Sequence, residues 1–91
     1  MPKVSVVVPA YNEGKNIYRN ILEFMETFAR LQLDYELIIV DDGSGDDTYQ
    51  QASKALSERV KVFTYPENRG KGYALKYGVA HATGELVTFL D

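Results

Sequence analysis

The sequence predicts an α/β fold: a doubly wound parallel sheet with helices on both faces, in three layers. Three observations carry this expectation. Short apolar runs rich in valine and isoleucine alternate with longer segments of helical periodicity. Two of those runs, at residues 4–8 and 35–40, are nearly continuous, as strands buried on both faces must be. Each run gives way to a loop of Pro, Gly, Asn or Asp. The order is strand–helix repeated three times and closed by a fourth strand, and right-handed crossovers then make the sheet parallel. With the strands in the order 3-2-1-4, the winding reverses between the first and the fourth, and a ligand crevice is expected there.

The elements follow in order. Val4, Val6, Val7 and Val8 form the first strand, and Pro9, which has no N–H to give a neighbour, is expected to end it. Asn12 is expected to cap the next helix, with Glu13 near its positive end. Ile17, Ile21, Leu22, Phe24, Met25, Phe28 and Leu31 recur at three- and four-residue spacing and form one apolar stripe. Leu33 and Asp34 turn the chain into the second strand, Tyr35 to Val40. Asp41–Asp42–Gly43–Ser44–Gly45 is a polar turn, and Ser44 with Asp47 has the spacing of a capping box. Ala52, Ala55 and Leu56 give the second helix a small apolar face. Val60 to Tyr65 carries Lys61 and reads as an edge strand. Residues 66–72 form a polar loop, and a helix is expected over 73–82, lying tight on the sheet at Gly78. Gly84 is a candidate helix stop, and Glu85 to Leu90 is the fourth strand.

Composition excludes several function classes. The 91 residues hold no cysteine, so no disulfide or thiolate metal site is available. A net charge of −3 carries no nucleic-acid footprint. No apolar run approaches the roughly 20 residues that span a bilayer, and the first residues lack the pattern of a signal peptide. A cytoplasmic location is expected, with one domain over residues 1–91, cut after the fourth strand of a longer protein. The first loop is not G-x-G-x-x-G, and no phosphate loop of the G-x-x-x-x-G-K-[ST] kind is present. Asp42, Ser44 and Asp46 begin a calcium-loop spacing, but the required Gly falls on Asp47. His81 stands alone and reads as a surface residue.

What remains is a set of carboxylates at strand ends. Asp41, Asp42 and Asp91, with Glu13 nearby, each make good turn or helix-start residues taken singly. Together they converge on one crevice and offer acceptors for base N–H groups and ribose hydroxyls. A diphosphate calls for a hard divalent cation. Tyr11 offers an aromatic face, and Arg69 and Lys71 on a glycine-rich loop can meet phosphate. Paired aspartates with a lysine also fit a receiver-type signalling module, and a nucleotide-binding module without chemistry is a further alternative.

The stretches VSVVVPAYNE, VDDGSGDDT, ENRGKGYALKYGV and GELVTFLD, in that order, resemble the N-terminal half of the inverting family 2 glycosyltransferases with the GT-A fold. The NRGKGYAL run is most similar to polyprenyl- and dolichyl-phosphate sugar transferases. The resemblance covers essentially the whole chain. It implies a Rossmann-like half of a GT-A domain and a nucleotide-diphosphate sugar (UDP- or GDP-linked) as donor. It also implies an acceptor such as a lipid phosphate, reached through regions beyond this sequence. Pro9, Ala10, Tyr11 and Glu13 would cradle the nucleoside. Asp41 would bind base or ribose, with Asp42 and Gly43 shaping the loop. Lys71 and Arg69 would lie near base or diphosphate. Asp91 would open the family's D-x-D motif, which serves Mn²⁺ or Mg²⁺. The second aspartate and the general base fall outside the sequence, so no catalytic residue is expected within it, and the piece alone is expected not to turn over.

Overall fold

The computed structural model describes residues 2–90. Seven elements alternate: β1 (Val4–Ala10), α1 (Ile17–Arg30), β2 (Tyr35–Asp41), α2 (Thr48–Ser53), β3 (Val60–Thr64), α3 (Lys71–Ala80) and β4 (Leu86–Phe89). The sheet runs β3-β2-β1-β4, and every pairing is parallel. The expected strand order and the reversal beside β1 are therefore both present.

Alternation along the strands divides the core. Val6, Val8, Leu37, Ile39 and Val60 face α1 and α2, where Ile17, Ile21, Ala52 and Ala55 complete one cluster. Val7, Ile38 and Val40 face the other way and meet Ala74 of α3. Helix α3 comes as close as the sequence implied. A methyl group at Gly78 would lie 2.3 Å from Cγ1 of Val7, so any side chain there would hold the helix off the sheet. Lys61 lies on β3, the edge strand, as expected.

Several local expectations are corrected. Pro9 does not end β1, which runs on to Ala10. The carbonyl of Ala10 accepts from Asp42 on the β2 side, and that of Val7 accepts from Leu90 on the β4 side. Pro9 therefore turns its nitrogen to the β4 side, past the last pair Val7↔Phe89, where a missing N–H costs no ladder bond. Helix α1 begins at Ile17 rather than beside Asn12, with Asn16 before it and no side-chain cap. Asn12 instead adopts a positive φ of 53°. Asp47, not Ser44, precedes α2, and it makes no side-chain cap. Helix α3 starts at Lys71, two residues early. Gly84 lies beyond its end, where a Cβ would sit 2.7 Å from Ser5 Oγ. The turn out of α1 has Gln32 at φ 56°, with Leu33 donating to Phe28 and Gln32 to Ala29. That is a Schellman closure without glycine.

At the end of the sheet opposite the loops that follow β1 and β2, a buried Glu36 was not anticipated. Its carboxylate accepts from Ser5 Oγ at 2.6 Å, Lys61 Nζ at 2.7 Å and the Thr83 backbone amide at 2.6 Å. It thus joins β1, β2, β3 and the turn before β4. Burial alone would raise its pKa, but the bonds from Lys61, Ser5 and Thr83 prevail and hold it at about 2. A folded pKa depressed below the unfolded value gives stability that is complete above the unfolded pKa and is lost on acidification. Urea unfolding should therefore show stability falling as pH drops from about 4.5 toward 2, and Glu36→Gln should flatten that fall while lowering stability at pH 7 by about 1–3 kcal/mol. An unchanged acid limb in the variant would remove Glu36 from this role.

Candidate functional site

The site forms where β1 and β2 end. Beyond Ala10, the chain cannot continue as strand because its next residues are committed to the neighbouring loop. Asn12 N donates to Ser44 Oγ, and Gly45 N donates to Asn12 Oδ1 at 2.9 Å. Glu13 N donates to Thr48 Oγ1, and Gly14 N to Asp46 Oδ2. Thr48 also bonds Asp46 through both its amide and its hydroxyl. The Thr48 hydroxyl leads the contacts that lower the Asp46 pKa. The two loops are thereby one laced unit, and Tyr11 stands out from it, half exposed.

Asp42 organises the other wall. It is 4% exposed, and a buried carboxylate must be met by donors. Four supply them. Tyr65 Oη and the Arg69 amide donate to Oδ1. The Asn68 side-chain amide and the Gly70 backbone amide donate to Oδ2, at 2.8 and 3.0 Å. The loop from Asn68 to Gly70 is thus folded onto the end of β2. Burial and the bond to Asp42 raise the Tyr65 pKa, so this phenol keeps its proton. Gly43 is where the loop passes closest. Its φ is +63°, and a Cβ there would lie 2.2 Å from the carbonyl carbon of Glu67.

Between the two walls opens a cavity of about 500 Å³, lined by Pro9, Ala10, Tyr11, Asp42, Asn68, Gly70 and Lys71. Its rim includes the first residues of α3. The ten-residue helix therefore presents its positive end and the Lys71 position to the cavity, an arrangement that favours an anion. An aromatic face, an apolar floor and an electropositive rim in one hollow suit a nucleotide.

The residues expected from sequence are thus partly assembled. Pro9, Ala10, Tyr11, Asp42 and Lys71 share the cavity. Gly43 lies behind it as the crossing point of the loop. Asp41 is 3% exposed and lines a separate hollow, bonded to Thr64 Oγ1 at 2.8 Å and to the Ser44 amide. Glu13 lines a third hollow, on the α1 face beside Phe24. Arg69 does not line the cavity, and its guanidinium lies 5.2 Å from the ring centre of Tyr73. Asp91 lies outside the described residues. The sequence reading missed Asn68 and Tyr65. Asn68 stands next to Arg69 in the same polar loop and could have been found there, whereas nothing in the local sequence pairs Tyr65 with Asp42. Among the described residues no three acidic, histidine or cysteine side chains converge as a metal site, so these residues by themselves do not assemble one. Nor does the aspartate pair suit a phosphoryl acceptor, since Asp42 has each oxygen held by two donors.

If the Gly43 crossing sets the loop, Gly43→Ala should lower unfolding free energy by more than about 1 kcal/mol, because both the positive φ and the contact with Glu67 oppose a side chain. It should also speed hydrogen exchange at the Arg69 and Gly70 amides, which NMR would detect. Unaltered exchange at both would contradict this.

The geometry has close parallels. Human dolichyl-phosphate beta-glucosyltransferase is 37% identical over 98 residues, covering 98% of this chain and 30% of that protein. A Pyrobaculum calidifontis mannosyltransferase, solved with GDP-Man and Mn²⁺, superposes with a TM-score of 0.76 at 33% identity, over 94% of this chain and 26% of that one. Glucosyl-3-phosphoglycerate synthase from Mycobacterium tuberculosis, solved with Mn²⁺, UDP and phosphoglyceric acid, gives a TM-score of 0.75 at 32% identity, over 99% of this chain and 32% of that one. The chain spans about a third or less of the length of these relatives. The model of the glycosyl transferase family 2 domain matches residues 5–91, and with the parallel 3-2-1-4 sheet and the cavity beside β1, the chain belongs to that family.

Proposed function

We propose that this chain is the nucleotide-sugar-binding part of a glycosyltransferase that transfers a sugar from a UDP- or GDP-linked donor to an acceptor. The observation that carries the proposal is the cavity that Pro9–Tyr11, Asp42, Asn68, Gly70 and Lys71 line, where β1 and β2 end and α3 begins. The base rests against Tyr11, and the diphosphate lies toward Lys71 and the start of α3, where helix and side chain both favour negative charge. Asp42 acts here as the anchor of the far wall, which differs from the sequence reading that gave the larger role to Asp41.

The Mn²⁺ in the two solved relatives supports a divalent cation in the complete site. Bound there, such a cation would offset the charge of the departing nucleotide diphosphate. The assignment of Asp91 to that ion rests on its motif. The likeness to the dolichyl-phosphate enzyme supports a lipid phosphate as the acceptor. No helix among the described residues is long and apolar enough to cross a membrane. Placement in the cytoplasm is part of the same proposal and rests on the cysteine-free composition.

Calorimetric titration of the full-length protein with UDP- and GDP-sugars in Mn²⁺ tests the reading. One nucleotide series should bind saturably, and Lys71→Ala should weaken it about tenfold, the factor that about 1.4 kcal/mol represents. Absence of binding by either series would end the proposal.

A further inference from the structure

We propose that Tyr65 is a positioning residue for nucleotide binding, acting through Asp42 on the loop that forms the far wall of the cavity. The inference rests on the nucleotide reading above and adds to it a residue that touches no nucleotide. Tyr65 does not line the nucleotide cavity; it lines the neighbouring hollow with Asp41 and Thr64. Its hydroxyl nevertheless reaches Asp42 Oδ1, the same oxygen that receives the Arg69 amide.

Its ring is held from two sides. Tyr73 lies edge-on at 5.2 Å and Tyr77 at 5.3 Å between ring centres. Tyr73 in turn carries the guanidinium of Arg69 on its face. The contacts close a circuit from Asp42 through the Arg69 backbone to the Arg69 side chain, then Tyr73, Tyr65 and back to Asp42. Arg69 is thereby fixed at both ends on the outer side of the loop, and Gly70 and Lys71 follow it into the cavity rim. The Tyr65 hydroxyl is also the donor to Asp42 that comes from β3–loop chain outside the Asn68–Gly70 segment. The Asn68, Arg69 and Gly70 donors belong to the far part of the loop, and the Tyr65 hydroxyl holds its first residue to the same carboxylate.

The test is Tyr65→Phe in the full-length protein, which keeps the ring and removes only the hydroxyl. The Kd for UDP or GDP, whichever the wild type binds, should rise about tenfold. The KM for the donor sugar should rise with it, while kcat at saturating donor changes by less than about twofold. Variants that merely fold less well would show the reverse, a lower apparent kcat at unchanged KM. A double-mutant cycle with Asp42→Asn should make the loss non-additive, so that Tyr65→Phe costs little further affinity in that background. Unchanged Kd, or a fall in kcat alone, overturns the proposal while leaving the nucleotide site standing. Additive losses also overturn it, and the single-variant measurement stands should Asp42→Asn fail to fold. Failure of the wild type to bind either nucleotide overturns the site reading and this proposal together.

Discussion

A buried carboxylate has to be met by hydrogen-bond donors, and at Asp42 four of them arrive from the segment between β3 and α3. Tyr65 directly follows β3, and Asn68, Arg69 and Gly70 come a turn later in the same loop. Removing a water shell from a carboxylate costs several kcal/mol unless each lone pair is met. The loop therefore has one arrangement that satisfies the charge, and that arrangement is the far wall of the cavity. Gly43 makes it possible by letting the Glu67–Asn68 backbone pass where no side chain fits. The near wall is held by hydrogen bonds between two loops, through Asn12, Ser44, Asp46 and Thr48.

The sheet decides where these walls stand. β1 is flanked by β2 on one side and β4 on the other, and the helices lie on opposite faces to either side of that point. Both loops consequently leave the same edge of the sheet and diverge around a common space. Glu36 and its partners tie the strands together at their other ends, from which no loop of the cavity arises. Carboxylates thus stand at opposite ends of β2, each met in its own way: Glu36 by Lys61, Ser5 and Thr83, Asp42 by Tyr65, Asn68 and the Arg69 and Gly70 amides.

The sheet order, the buried strands, the edge character of β3 and the tight seat of Gly78 could all be read from the residues. Each depends on local periodicity or on the rules of parallel crossovers. The caps could not. Asn12 and Ser44 have the identities of capping residues, but their side chains are drawn into bonds between two loops 32 or 33 positions apart, and spacing rules do not register such distances. The same limit explains the exchange between the two aspartates. Asp41 is the last residue of β2 and Asp42 the first beyond it; the structure puts them on different hollows, and the sequence does not say which of the two lines the cavity. Tyr65 escaped notice because its meaning lies in its contact with Asp42, 23 positions away.

The central claim is that the nucleotide lies between Tyr11 and a far wall fixed by Asp42. A crystal structure of the full-length protein with UDP or GDP and Mn²⁺ tests it directly. The account predicts the base against Tyr11, the diphosphate toward Lys71 and the start of α3, and the Asn68–Gly70 loop still bound to Asp42. A nucleotide seated in the Asp41 hollow, or one that displaces the loop from Asp42, would contradict it.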